Sequence, residues 1–109
     1  MSDVEIVWSA AAFRDLEVTH FQLQERERRA ARWFRQGVRS AIAQLKEHPE
    51  SGAVAYDVDD QGRYRHVVFG PFRLFYLFEA GRISVIRIWD ARRDPDSLVL
   101  EFEYSPEGE

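Results

Sequence analysis

Imidazole is the side chain best suited to metal ligation and to proton transfer near neutral pH, so the three histidines are the first place to look for chemistry. His20, His48 and His66 fall in three separate segments with no paired-ligand spacing, and no metal site is expected of them. Cysteine is absent, which removes thiolate nucleophiles, Cys-bound metals and disulfides. No Gly-rich phosphate loop and no serine-nucleophile motif occurs, so a hydrolase triad has no support and no cofactor is expected. What remains is arginine. Arg73 and Arg87 lie inside apolar runs, where each either pairs with Asp or Glu at a core edge or faces an anion. Arg92 and Arg93 lie just past such a run, where a solvent-facing guanidinium pair is suited to contact with a target or partner.

The elements that must position these arginines are legible in outline. Val4, Ile6 and Trp8 alternate as in a half-buried strand. Ser9 is placed to cap a helix from about Ala10 to about Gln22, with Ala12, Phe13, Leu16, His20 and Leu23 at helical spacing. The segment Gln22 to Glu27 has neither Gly nor Pro, leaving open two helices or one bent one. Ala30, Ala31, Phe34, Val38, Ala41, Ile42 and Leu45 then form a second apolar stripe, ending before Pro49. Arg28, Arg32, Arg35 and Arg39 share another face, which reads as a solvated one, with Glu25 and Glu27 near enough for weak ion pairs. A short strand is expected over Val54 to Val58 and a firmer one over Tyr64 to Phe69. Strands over Phe72 to Glu79 and Arg82 to Trp89 follow, joined by a tight Ala80-Gly81 turn.

At 109 residues, 45% hydrophobic and 14% aromatic, the chain is expected to be one globular domain. Net charge is −4, unevenly spread. Residues 94 to 109 hold six acids and no base, leaving 15 bases against 13 acids in residues 1 to 93. The body is faintly basic, and an acidic tail begins at about residue 96. The N-terminus carries no basic and apolar leader pattern, and no run reaches the roughly 18 apolar residues of a membrane span. A cytoplasmic setting without membrane contact is the expectation.

The hairpin of residues 72 to 89 is apolar on both faces. With a two-residue turn, Glu79 faces Arg82. Arg73, Phe75 and Leu77 then share a face with Ile86 and Ile88, and Phe72, Leu74, Tyr76, Phe78, Ile83, Val85, Arg87 and Trp89 occupy the other. Two helices cover only one face of such a sheet. The other needs cover from the tail, through Leu98, Leu100, Phe102 and Tyr104, from a partner, or from both. Trp8, Trp33 and Trp89 are expected in the core or at its rim.

The order of these features resembles the RelE/ParE toxin superfamily. The resemblance rests on Val7-Trp8-Ser9 with Ala12 and Arg14-Asp15-Leu16, on Leu45, Pro49 and Gly52 closing a helical hairpin, on Phe72-Arg73-Leu74-Phe75-Tyr76, and on Ile86-Arg87-Ile88 leading to Ala91-Arg92-Arg93-Asp94-Pro95. It spans residues 4 to 98. It implies an α+β fold of order β-α-α-β-β-β, with a helical hairpin on one face of a small antiparallel sheet. It implies too the toxin half of a type II toxin–antitoxin pair, of the plasmid-stabilisation kind, silenced by a cognate antitoxin in a hetero-oligomer; a homodimer is also compatible.

The superfamily divides by target into ribosome-dependent mRNA endonucleases and DNA gyrase inhibitors. The RNase branch uses cationic and phenolic groups to activate a 2′-hydroxyl and stabilise a phosphorane. Carried over by position, Arg65, Arg73 and Arg93 would be the RNase residues of this chain. Val67 stands where a second lysine is wanted, and Ser97 or Leu98 where a tyrosine is. The Arg-Arg-Asp-Pro ending resembles the ParE-like branch, although Asp90 stands where that branch commonly has His. The gyrase-inhibitor reading is therefore preferred. The mRNA endonuclease is the alternative, and an orphaned binding module on the same fold a third reading. On the preferred reading the antitoxin covers Arg73, Phe75, Leu77, Ile86 and Ile88, and the target meets Arg87, Trp89, Arg92 and Arg93.

Overall fold

The computed structural model describes residues 4–102. A first strand β1 (Glu5–Trp8) leads through Ser9 into α1 (Ala10–Arg26), and α2 (Arg28–Glu47) follows after one residue. The strands β2 (Ala53–Val54), β3 (Arg65–Phe69), β4 (Phe72–Glu79) and β5 (Arg82–Asp90) complete a five-stranded sheet of order β1-β5-β4-β3-β2. A short 3₁₀ turn (Pro95–Ser97) opens the tail. Among the described residues, no helix is long and apolar enough to cross a membrane.

Ser9 makes the first corner. Its Oγ accepts from the Ala12 amide at 2.9 Å, capping α1, and donates to the Ile86 carbonyl at 2.7 Å. The break between the helices is a single extended residue, Glu27, at φ −161° and ψ 119°. Its amide closes α1 on the Leu23 carbonyl, while its own carbonyl accepts from Ala30 and Ala31 to open α2. Two helices, rather than one bent helix, form the layer over the sheet. The expected 54–58 strand reduces to the two residues of β2.

The sheet is mixed, because β1 runs parallel to β5 while the remaining pairs are antiparallel. The return from β1 through the helical hairpin and the β2–β4 meander brings β5 alongside β1 in the same direction. The β4–β5 turn forms as expected, with Ala80 and Gly81 at φ 53° and 72° and Glu79 opposite Arg82. Positive φ at both positions fits a type I′ hairpin turn.

The expected register fails halfway along β5. Phe75 pairs with Arg87 and Tyr76 with Val85, so Ile86 is an extra residue in a β-bulge. Beyond it the faces exchange. Ile88 lies with Phe72, Leu74, Tyr76, Ile83 and Val85 against Trp8, Ala12, Phe34, Val38, Ala41 and Leu45 in the helix-side core. Trp89 moves to the opposite face with Phe75 and Ile86. That face is not open: Ala55 and Tyr64 from the loop between β2 and β3, with Leu98 and Leu100 from the tail, pack on it. Tyr64 Oη donates to the Leu100 carbonyl at 3.2 Å, and Arg87 Nη1 donates to the Val99 carbonyl at 3.3 Å, fixing the tail. Of the tryptophans, Trp8 and Trp89 are buried. Trp33 is half exposed, lying over Gly70 and beside Phe69 and Phe72.

Candidate functional site

Of the three arginines of the RNase reading, Arg65 stands apart, while Arg73 and Arg93 line one pocket of about 490 Å³ with Arg63, Tyr64 and Trp89. Arg65 stands opposite Tyr76, whose ring lies in the helix-side core. Its Nη1 donates to the carbonyls of Glu50 (3.1 Å) and Gly52 (2.8 Å), so it ties down the loop after α2. Arg73 pairs across the sheet with Val68 and Trp89 and belongs to the opposite face. Its Nη1 and Nη2 donate to Asp57 at 2.8 and 3.0 Å, its Nε donates to His66 Nδ1 at 2.9 Å, and its guanidinium lies 4.5 Å above the Phe75 ring. Of the two expectations for Arg73, an Asp or Glu partner or an outside anion, the chain itself meets the first with Asp57. Arg93 is exposed at the end of β5, 4.4 Å from the Trp89 ring.

The Asp57–Arg73–His66 cluster clamps the loop between β2 and β3 over the sheet. Hydrogen bonds from Arg73 hold the Asp57 carboxyl below the usual carboxylate range. Burial, and then the charge of Arg73, hold His66 below the usual imidazole value, against a weaker opposing pull from Asp57. An unfolded histidine titrates near pH 6.5, so just below that pH the unfolded chain takes up a proton that the folded His66 refuses. The stabilisation from neutral His66 is thus complete above about pH 6.5 and lost as pH falls. The urea midpoint is expected to drop between about pH 7.5 and pH 5.5, and His66→Gln, which keeps an acceptor for Arg73, should flatten that drop. An undiminished drop in His66→Gln would place the titration elsewhere.

The surface expected to meet the antitoxin is largely internal. Phe75 and Ile86 are fully buried under the loop and tail, and Leu77 is partly buried beside them. Ile88 is buried on the helix side, because the bulge turns it away. The residues expected to meet the target divide in two. Trp89 is buried, and Arg87 is held by Asp15 of α1 through Nε–Oδ2 and Nη2–Oδ1 contacts of 2.7 and 3.0 Å, with the same carboxylate accepting from the Ile88 amide at 3.0 Å. Arg92 and Arg93 are exposed. Asp90 accepts from Arg92 Nε at 2.9 Å and Nη2 at 2.7 Å, and this holds its carboxyl below the usual range.

β1 ends at Trp8, so the second half of β5 borders α1 instead of a strand. The groove between them, about 500 Å³, is lined by Arg14, Arg26, Arg87, Arg92 and Arg93. Two carboxylates, Asp15 and Asp90, share it and are taken by Arg87 and Arg92. Arg14, Arg26 and Arg93 have no ion-pair partner among the described residues. The site therefore presents free guanidinium groups suited to carboxylates or phosphates. Arg14 and Arg26 escaped the sequence reading, since they lie twelve residues apart on α1, about 18 Å along its axis, and nothing in that spacing places either beside β5.

A family model for the ParE toxin of the type II toxin–antitoxin system parDE matches residues 6–95. The chain belongs to the ParE toxin family. The match runs from Ile6 in β1 past the end of β5 and stops at Pro95, the first residue of the 3₁₀ turn, so it covers the whole of the arginine groove and leaves the tail outside. A solved structure described as the chromosomal ParDE TA system from P. aeruginosa has the same fold. Its TM-score is 0.63 at 17% identity, covering 78% of this chain and 92% of that one. No curated protein sequence matches the chain. Family membership makes the protein a toxin component of a type II system, with an α+β fold of two helices on a five-stranded mixed sheet.

Proposed function

We propose that this ParE-family toxin acts in the cytoplasm by inhibiting DNA gyrase without cutting RNA, and that its cognate antitoxin neutralises it. The observation that supports this reading is the divergence of Arg65 and Arg73. Metal-free phosphodiester cleavage needs donors and a proton carrier within hydrogen-bond reach of one phosphate. Here Arg65 is engaged by two carbonyls on one side of the sheet, and Arg73 by Asp57 and His66 on the other. Val67 and Leu98 add no titratable group. The arginine groove beside α1 is the target-facing surface of this proposal, with Arg92 and Arg93 at its exposed lip.

The test is inhibition of gyrase supercoiling by purified protein, compared with Arg92→Ala/Arg93→Ala. Hydrogen bonds to a charged group contribute about 1.5–3 kcal/mol each, so the double variant is expected to need at least about tenfold more protein for half-inhibition. Unchanged inhibition by a folded double variant would move the target surface away from the groove.

A further inference from the structure

We propose that the arginine groove between α1 and the second half of β5 takes the phosphodiester backbone of duplex DNA, so that the toxin meets gyrase through the DNA the enzyme holds. This rests on the gyrase reading for the place of contact, but not for the binding itself.

The groove concentrates charge of one sign. Five arginines and two carboxylates line it, an excess of three cations in a chain whose net charge is −4. The pairs Arg87–Asp15 and Arg92–Asp90 use up both carboxylates, so Arg14, Arg26 and Arg93 supply the excess. All three residues are exposed. Arg14 lies in the second turn of α1 and Arg26 is its last residue, about 18 Å further along the axis. Arg93 follows the end of β5.

Cations spread in this way suit a ligand whose charge repeats. One strand of duplex DNA carries a phosphate about every 3.4 Å of helix axis, so about 18 Å spans about five of them, and a phosphate falls near each guanidinium in any register. A protein ligand would need a carboxylate at each of three separated places. Between the two α1 arginines the lining continues with Thr19 and Gln22, a hydroxyl and an amide of the kinds that donate to phosphate oxygens.

The groove offers nothing to stack on a base. Single strands are gripped by stacking on aromatic rings, and Phe72, the one aromatic residue lining the groove among the described residues, is buried against Phe34 in the helix-side core. The contact expected is therefore with a duplex and independent of sequence. The acidic remainder of the chain opposes the approach of free DNA. Binding is then weak in isolation and becomes effective where gyrase holds the duplex at high local concentration.

The test is fluorescence anisotropy of a labelled duplex titrated with the full-length protein over a salt series, without gyrase. Three phosphate contacts give a slope of log K on log salt of about −2.7, so affinity should fall about fortyfold for a fourfold rise in salt. In Arg14→Gln/Arg26→Gln the slope should drop to about −0.9, with binding at least about tenfold weaker at low salt. Arg93→Gln alone, outside every helix and strand, should take away about 0.9 of the slope, a second reading that does not depend on α1. Arg28→Gln/Arg32→Gln on α2 makes the same change of net charge outside the groove and should leave slope and affinity as in wild type. Circular dichroism checks that each variant is folded. No binding by wild type at low salt, or equal losses in the α1 and α2 variants, overturns the proposal. So does binding to DNA-free gyrase that Arg14→Gln/Arg26→Gln abolishes while duplex binding persists, since that would put carboxylates of the target in the groove. Duplex binding without gyrase inhibition would sink the gyrase reading and leave the phosphate site standing; gyrase inhibited with no duplex bound would do the reverse.

Discussion

Replacing Ile86 by aspartate is expected to unfold the free protein as severely as the same replacement at Val85. The two residues point to opposite faces of the sheet, yet neither has any exposed surface. Val85 faces the helices, and Ile86 lies under Tyr64, Leu98 and Leu100. Losing a buried aliphatic side chain costs about 1.5–3 kcal/mol, and an unpaired carboxylate in the same place costs several more. A domain of this size has roughly 5–15 kcal/mol in all. Urea titration followed by far-ultraviolet dichroism should find both variants largely unfolded without denaturant, and Leu77→Asp, at a partly buried position, less affected. A folded Ile86→Asp beside an unfolded Val85→Asp would mean that loop and tail do not cover this face, returning it to the antitoxin.

The next largest effect is expected at Arg87. Both its guanidinium and the Asp15 carboxylate are mostly withdrawn from water, and Asp15 also serves the Ile88 amide just beyond the bulge. Arg87→Ala leaves that carboxylate buried against a single donor. Breaking one side of a buried pair costs about 3–5 kcal/mol. Adding Asp15→Asn, which removes the charge and keeps an acceptor for Ile88, should recover a large part, and the double-mutant cycle measures how much of the loss is the coupling itself. Any loss of toxicity in Arg87→Ala should then follow the fraction folded. An Arg87→Ala protein as stable as wild type but inactive would restore Arg87 to the target-binding set.

Where the sequence misleads, the cause is a contact between distant segments. Apolar periodicity locates both helices and the β4–β5 hairpin, and a two-residue turn correctly sets Glu79 opposite Arg82. Ile86-Arg87-Ile88 then reads as clean alternation, and nothing local marks Ile86 as the bulge. Its carbonyl is taken by the hydroxyl of Ser9, 77 residues earlier, where β1 stops and α1 begins. The parallel pairing of β1 with β5 is equally non-local. The family resemblance supplies the order of elements, but Arg65 and Arg73 diverge only because three-dimensional neighbours claim them, Gly52 on one face and Asp57 on the other. The arginine groove needed α1 beside β5 to become visible.

The proposal that this toxin disables gyrase and leaves RNA intact is tested most directly by presenting one preparation with both targets. Purified protein is added to gyrase with supercoiled plasmid, and to a translation extract whose messages are read by primer extension. Loss of supercoiling or trapped cleaved DNA at micromolar protein or below, with uncut messages, is the predicted result. Codon-positioned cuts in the message with gyrase unaffected would contradict it, and would mean that Arg65, Arg73 or Arg93 acts on RNA after all.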